Sequence, residues 1–68
     1  MNLSPKQLIK YLEENGFILK RSKGSHQLYH NPATNKTVVV PVHGGKDMKK
    51  GTFLAVIKQA GLDKNDLT

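Results

Sequence analysis

Three histidines, His26, His30 and His43, are the side chains best suited to chemistry in this chain. A shared metal ion is the first possibility they raise. His26 and His30 stand four apart, a spacing that on a helix brings two ligands to one ion. Gln27-Leu28-Tyr29 between them reads as strand instead, where four residues span about 13 Å at a rise of ~3.3 Å each. Both rings then cannot reach one ion at a bond of ~2 Å. The chain has no cysteine, and carboxylates are few near the histidines. No metal and no cofactor is expected.

Acid–base chemistry suits these residues better. His26 follows Gly24-Ser25, with Arg21 and Lys23 just before it. An imidazole takes and gives protons near neutral pH. RNA carries its own nucleophile, the 2′-hydroxyl beside each phosphate. A base that removes its proton, with cations to stabilise charge on the phosphate, is enough for cleavage without a metal. Residue types alone leave two readings of His26 open, this base and a plain exposed strand histidine. His43 precedes Gly44-Gly45, where a phosphate can approach the backbone, and Lys46, Lys49 and Lys50 follow. The nearby start of a helix also offers free N–H groups to an anion. This is not a Walker motif, and a mobile loop with solvated lysines fits it equally. His30 precedes Asn31-Pro32 and reads as a polar residue flanking a turn. Ser25, directly before His26, is expected to face the opposite side of a strand, and no Ser-His-Asp set is evident.

The elements that must hold these residues can be read from caps, turns and apolar spacing. Ser4 is a good N-cap, Pro5 suits the first helical position, and Gln7 completes a capping box. Leu3 and Leu8 have the spacing of a hydrophobic staple. Leu8, Ile9 and Leu12 mark one helical face, with Tyr11 at its edge, and Gly16 is a left-handed stop. A helix over about 5–15 is expected. Strands are expected over 17–21, 26–30 and 37–42, separated by a turn at 22–25 and a hairpin loop at 31–36. Pro41 lacks an N–H, so it belongs near its strand's end or on an edge. A loop over 43–47 leads to a second helix over about 49–60. Phe53, Leu54, Val56, Ile57 and Ala60 give that helix its apolar stripe, and Gly61 ends it. A polar tail follows, with one helical turn after Asp63. The expected fold is α+β: a three-stranded antiparallel sheet with two helices on one face, in the order α-β-β-β-α. That order is also the topology of the double-stranded-RNA-binding domain, an analogy of fold and not of function.

With 68 residues the chain makes one domain, over 1–68. Eleven Lys and Arg stand against five Asp and Glu, for a net charge of +6. No acid lies between Glu14 and Asp47, while Lys20, Arg21, Lys23, Lys36 and Lys46 do. Such a surface favours a polyanion, although lysines that serve only solubility would look the same. The polar N-terminus lacks a signal peptide's apolar stretch, and Val38–Val42 is too short to span a bilayer. A soluble, cytoplasmic protein is expected, with no membrane partner.

Lys23-Gly24-Ser25-His26, then Val40-Pro41-Val42-His43-Gly44, then Lys49-Lys50-Gly51-Thr52 and Ile57-Lys58-Gln59-Ala60-Gly61-Leu62 together resemble the HicA family of toxin endoribonucleases. The resemblance covers about Leu3 to Leu62. Order and spacing carry it, since Gly-Ser-His alone is common. It implies the double-stranded-RNA-binding-domain fold and a toxin that cleaves messenger RNA without a metal and arrests growth. It puts the catalytic histidine at His26. Ser25 and His43 are candidates for an accessory catalytic part. Lys20, Arg21, Lys23, Gly24, Lys46, Lys49 and Lys50 are the expected RNA contacts. It further implies a HicB-type antitoxin that masks His26, with the free toxin a monomer. Two other classes remain beside this one: a small RNA-binding module without turnover, and an adaptor that works through its sheet edge.

Overall fold

The computed structural model describes residues 4–42 and 46–62. Its elements are α1 (Pro5–Glu14), β1 (Ile18–Lys23), β2 (His26–Asn31), β3 (Lys36–Pro41) and α2 (Lys50–Gln59). The strands form one antiparallel sheet in the order β1-β2-β3. The expected α-β-β-β-α architecture is thus the one observed. Among the described residues, no helix is long and apolar enough to cross a membrane.

Local chemistry sets the helix ends. Ser4 caps α1, its Oγ accepting the Gln7 N–H at 3.1 Å. At the other end Gly16 takes φ +92°, a conformation costly for any residue with a Cβ. The Phe17 and Gly16 N–H groups then donate back to the Leu12 and Glu13 carbonyls. This is a Schellman motif, and its apolar pair, Leu12 and Phe17, is buried. Gly61 and Leu62 repeat the arrangement on Lys58 and Ile57 at the end of α2. The staple expected from Leu3 and the turn expected after Asp63 lie outside the described residues.

Both helices cover the same side of the sheet. Leu8 and Leu12 of α1, with Phe53, Val56 and Ile57 of α2, form one core with Tyr29, Val38 and Val40. Side chains alternate along a strand, so β2 sends Gln27, Tyr29 and Asn31 toward the helices and His26, Leu28 and His30 away from them. Two polar groups hold this alternation in place. Tyr29 is 3 % exposed, and its hydroxyl donates to Gln27 Oε1 at 3.0 Å. Buried Asn31 donates through Nδ2 to the Asn15 carbonyl at 2.9 Å and accepts the Ala33 N–H through Oδ1 at 2.9 Å. One side chain therefore joins the end of α1 to the β2–β3 turn. No buried side-chain polar atom among the described residues lacks a partner.

Burial raises the Tyr29 hydroxyl above its ordinary pKa of 10.0, and the charge of Glu13 adds to the effect. The unfolded chain therefore gives up this proton first. The group's contribution to stability is whole below pH 10 and is lost as pH rises through the folded-state pKa. Thermal unfolding followed from about pH 8 to 11 should show the wild type losing Tm more steeply above pH ~10 than Tyr29→Phe. Parallel curves for the two proteins would contradict this account.

Candidate functional site

His26 opens β2 on the side of the sheet that neither helix covers. A two-residue turn, Gly24-Ser25, puts it there. Gly24 has φ +57° while Ser25 keeps a negative φ, the pattern of a type II′ hairpin turn. The turn is two residues shorter than the sequence suggests, because Ser22 and Lys23 belong to β1. Ser25 stays in the turn, so it is not a strand neighbour that faces away from His26. Its carbonyl accepts the Val42 N–H, at 2.6 Å, and so carries the ladder one residue past β3.

His26 pairs with Lys23 on one side and Pro41 on the other. The next residues on this open face are Leu28 and, across from it, Arg21 and Val39. Beyond them His30 lies between Ile18 and Thr37. His30 is thus a sheet residue sharing a face with His26, since β2 runs on to Asn31. Its Nδ1 lies 2.7 Å from Thr37 Oγ1. Among the described residues no group of three or more His, Asp or Glu comes together.

A bulge aims the cations. The pairing runs Leu19 with Tyr29, then Arg21 with Leu28, so Lys20 has no partner across the strand. Regular alternation from Ile18 would turn Lys20 and Ser22 toward the His26 face. The extra residue shifts the parity, and Arg21 and Lys23 take those places. All of β1 is exposed. No residue type in Lys20-Arg21 signals a bulge, so the sequence could not show it. Of the expected RNA contacts, Lys23 and Arg21 share the face of His26, Lys20 is the bulged residue, and Gly24 is the hairpin turn.

The remaining cations approach from the other side of Pro41. An open groove of about 470 Å³ is lined by Pro41, Lys46, Asp47, Met48, Lys49 and Thr52. Pro41 ends β3, which is an edge strand, as its missing N–H requires. Met48 is buried in the core and pins the segment bearing Lys46 and Lys49. Sequence reading passed over Met48, although a signal was available. Met48 and Phe53 flank the N-cap Lys49 at staple spacing, the rule applied to Leu3 and Leu8. Lys50 is the first residue of α2. That helix has no side-chain cap bond and no acid in its first turn. His43, Gly44 and Gly45 lie outside the described residues.

The family model described as the HicA toxin of bacterial toxin-antitoxin matches residues 5–62. No curated protein matches the chain. The matched stretch contains the whole sheet, both helices, His26 and the groove lysines.

The bulge makes a direct prediction. Deleting Lys20 removes the residue that has no partner, so Lys23 should stay opposite His26 and Arg21 opposite Leu28. Cross-strand NOE contacts in the deletion protein should link Lys23 to His26 as in the wild type. A one-residue slip that places Ser22 opposite His26 would contradict the bulge as the origin of this arrangement.

Proposed function

This chain belongs to the HicA toxin family of bacterial toxin–antitoxin systems, and from that premise we propose that it is a metal-independent endoribonuclease whose acid–base group is His26. The observation that carries the proposal is the cross-strand row Lys23–His26–Pro41 on the uncovered face. It supplies an exposed imidazole with a fixed backbone, a cation beside it, and no helix in the way of a long substrate. His26 takes the proton of a ribose 2′-hydroxyl. The 2′-oxygen bonds to the adjacent phosphorus, and the P–O5′ bond breaks. The 5′-oxygen leaves and takes a proton from water, and His26 returns its proton to solvent, giving a 2′,3′-cyclic phosphate and a 5′-hydroxyl. Lys23 and Arg21 stabilise the negative charge that gathers on the phosphate oxygens.

Lys46 and Lys49, across Pro41, are suited to the neighbouring phosphates of the same strand. Lys50 and the uncapped first turn of α2 add a cation and free N–H groups there. Lys20 and Gly24 extend the contact along the hairpin. Ser25 and His43 are kept as candidates for an accessory part, and the family resemblance assigns neither a step. The substrate is messenger RNA, and the free toxin acts as a monomer in the cytoplasm without a cofactor. A HicB-type antitoxin covers His26 and the cations around it.

Catalysis and fold are separable here, because His26 is exposed and contributes nothing to the core. His26→Ala should unfold within about 0.5 kcal/mol of the wild type. It should cleave RNA ~10²–10⁴-fold more slowly. An RNA with 2′-deoxyribose at the cleaved nucleotide should survive the wild type, and EDTA should not protect ordinary RNA. Near wild-type cleavage by His26→Ala would remove His26 from the mechanism. A wild type that cuts no RNA would instead favour the reading of the domain as an RNA-binding module without turnover.

The partner reading has its own test. An acidic antitoxin would meet this cationic surface faster at low salt, so its association rate should fall as salt rises. Titrated into a cleavage assay, it should abolish cleavage at one equivalent of bound partner. Tight binding with cleavage intact would show that inhibition does not work by covering His26.

A further inference from the structure

The open face of the sheet carries more than a catalytic row. Its second row, Arg21–Leu28–Val39, is mostly aliphatic, and its third, Ile18–His30–Thr37, ends in a polar pair. Val39 is 44 % exposed and Ile18 is 50 % exposed, which is unusual company for a surface otherwise rich in lysine. The aromatic residues are elsewhere: Phe17, Tyr29 and Phe53 lie in the core and Tyr11 is on α1. Alternate residues along a strand stand about 6.6 Å apart. That distance is comparable with the step between successive nucleotides of an extended single strand.

The third row contains a fixed hydrogen-bonding group. Thr37 Oγ1 lies 2.7 Å from His30 Nδ1 and restrains the ring. In a neutral imidazole one nitrogen donates and the other accepts, and a hydroxyl can pair with Nδ1 in either role, so Nε2 offers a base edge one donor or one acceptor. Nε2 itself has no hydrogen-bond partner among the described residues. His30 is only partly exposed. A restrained ring with one free polar edge is suited to telling one base from another.

We infer that His30, held by Thr37, is a base-reading residue for single-stranded RNA, two nucleotides from the bond that His26 breaks. This rests on the reading of His26 as the cleaving base. With the scissile phosphate in the Lys23–His26 row, the adjoining base lies on Leu28 and Val39, and the following nucleotide meets His30. The strand must be single, because in an RNA duplex the base faces are stacked inside and the deep major groove hides the base edges. Aliphatic side chains hold a base less tightly than aromatic ones and accept any base. Selectivity therefore falls to His30. Arg21 and Lys23, on a face with no acid, favour a polyanion over a neutral protein surface.

The test uses a pool of RNAs randomised on both sides of a cleavage site, cut by the wild type, Thr37→Val and His30→Gln, with the product ends sequenced. Thr37→Val keeps size and β-branching on an exposed strand position, so it guards against failure to fold. The wild type should prefer particular bases two nucleotides from the cut. Both variants should still cut, with that preference reduced roughly 3- to 10-fold, the effect expected of one hydrogen bond. Preference at the nucleotides flanking the cut should persist, and a perfect duplex should compete poorly. The inference is overturned if the wild type has no preference at that position. Unchanged preference in both variants overturns it too, whether their rate or melting temperature falls or not. If the variants lose affinity for the antitoxin while the cleavage pattern stays fixed, the third row belongs to the protein partner and the inference also fails. A wild type that cuts no RNA, or a His26→Ala protein that cuts as well, overturns the reading of His26 itself and is recognised separately from these outcomes.

Discussion

The alternation of β2 is the constraint on which the rest of this molecule depends. It is the central strand, paired on both sides, so a slip of one residue would exchange its two faces completely. Tyr29 and Asn31 make that slip expensive. A shifted register would carry a buried aromatic ring to solvent. It would also break the amide that joins the end of α1 to the β2–β3 turn. Leaving a buried partner of that amide unsatisfied costs about 1–3 kcal/mol. That is a large fraction of the stability of so small a domain. With Tyr29 and Asn31 inward, His26 can only face outward.

The core and the proposed site therefore lie on opposite sides of the sheet. The helices, the core and the buried hydrogen bonds occupy one side. His26, Arg21 and Lys23 occupy the other, where no core contact restricts residue type. The groove beyond Pro41 joins the two, because buried Met48 lies between the exposed Lys46 and Lys49. A toxin arranged this way leaves the sheet face that carries His26 open without rearranging its fold.

Much of this was legible in the residues, for reasons that are local. Ser4, Gly16 and Gly61 act within a few residues of the helix ends they set, so the helices were expected within a residue or so of where they lie. Thr37 to Val40 is β-branched throughout and reads as strand without help. The Gly24-Ser25 turn was expected to be longer, because Ser22 and Lys23 have turn-like composition. Pairing with β2 overrides that preference, as tertiary context commonly does. The bulge at Lys20 is a property of the pair of strands and has no signature in either one. Hence the face shared by Arg21, Lys23 and His26 could be seen only in the structure. The side chain of His26 was legible as a candidate, but its neighbours were not.

The claim that the uncovered sheet face is the working surface can be tested most directly by mapping where RNA binds. An RNA blocked by a 2′-O-methyl group at the cleaved nucleotide would be titrated into isotope-labelled protein, with amide shifts followed by NMR. The account predicts that the shifts concentrate on Lys23, His26, Leu28 and Val39 and extend to Lys46 and Lys49. Shifts confined to α1 and the outer side of α2, with His26 and its row unmoved, would contradict it.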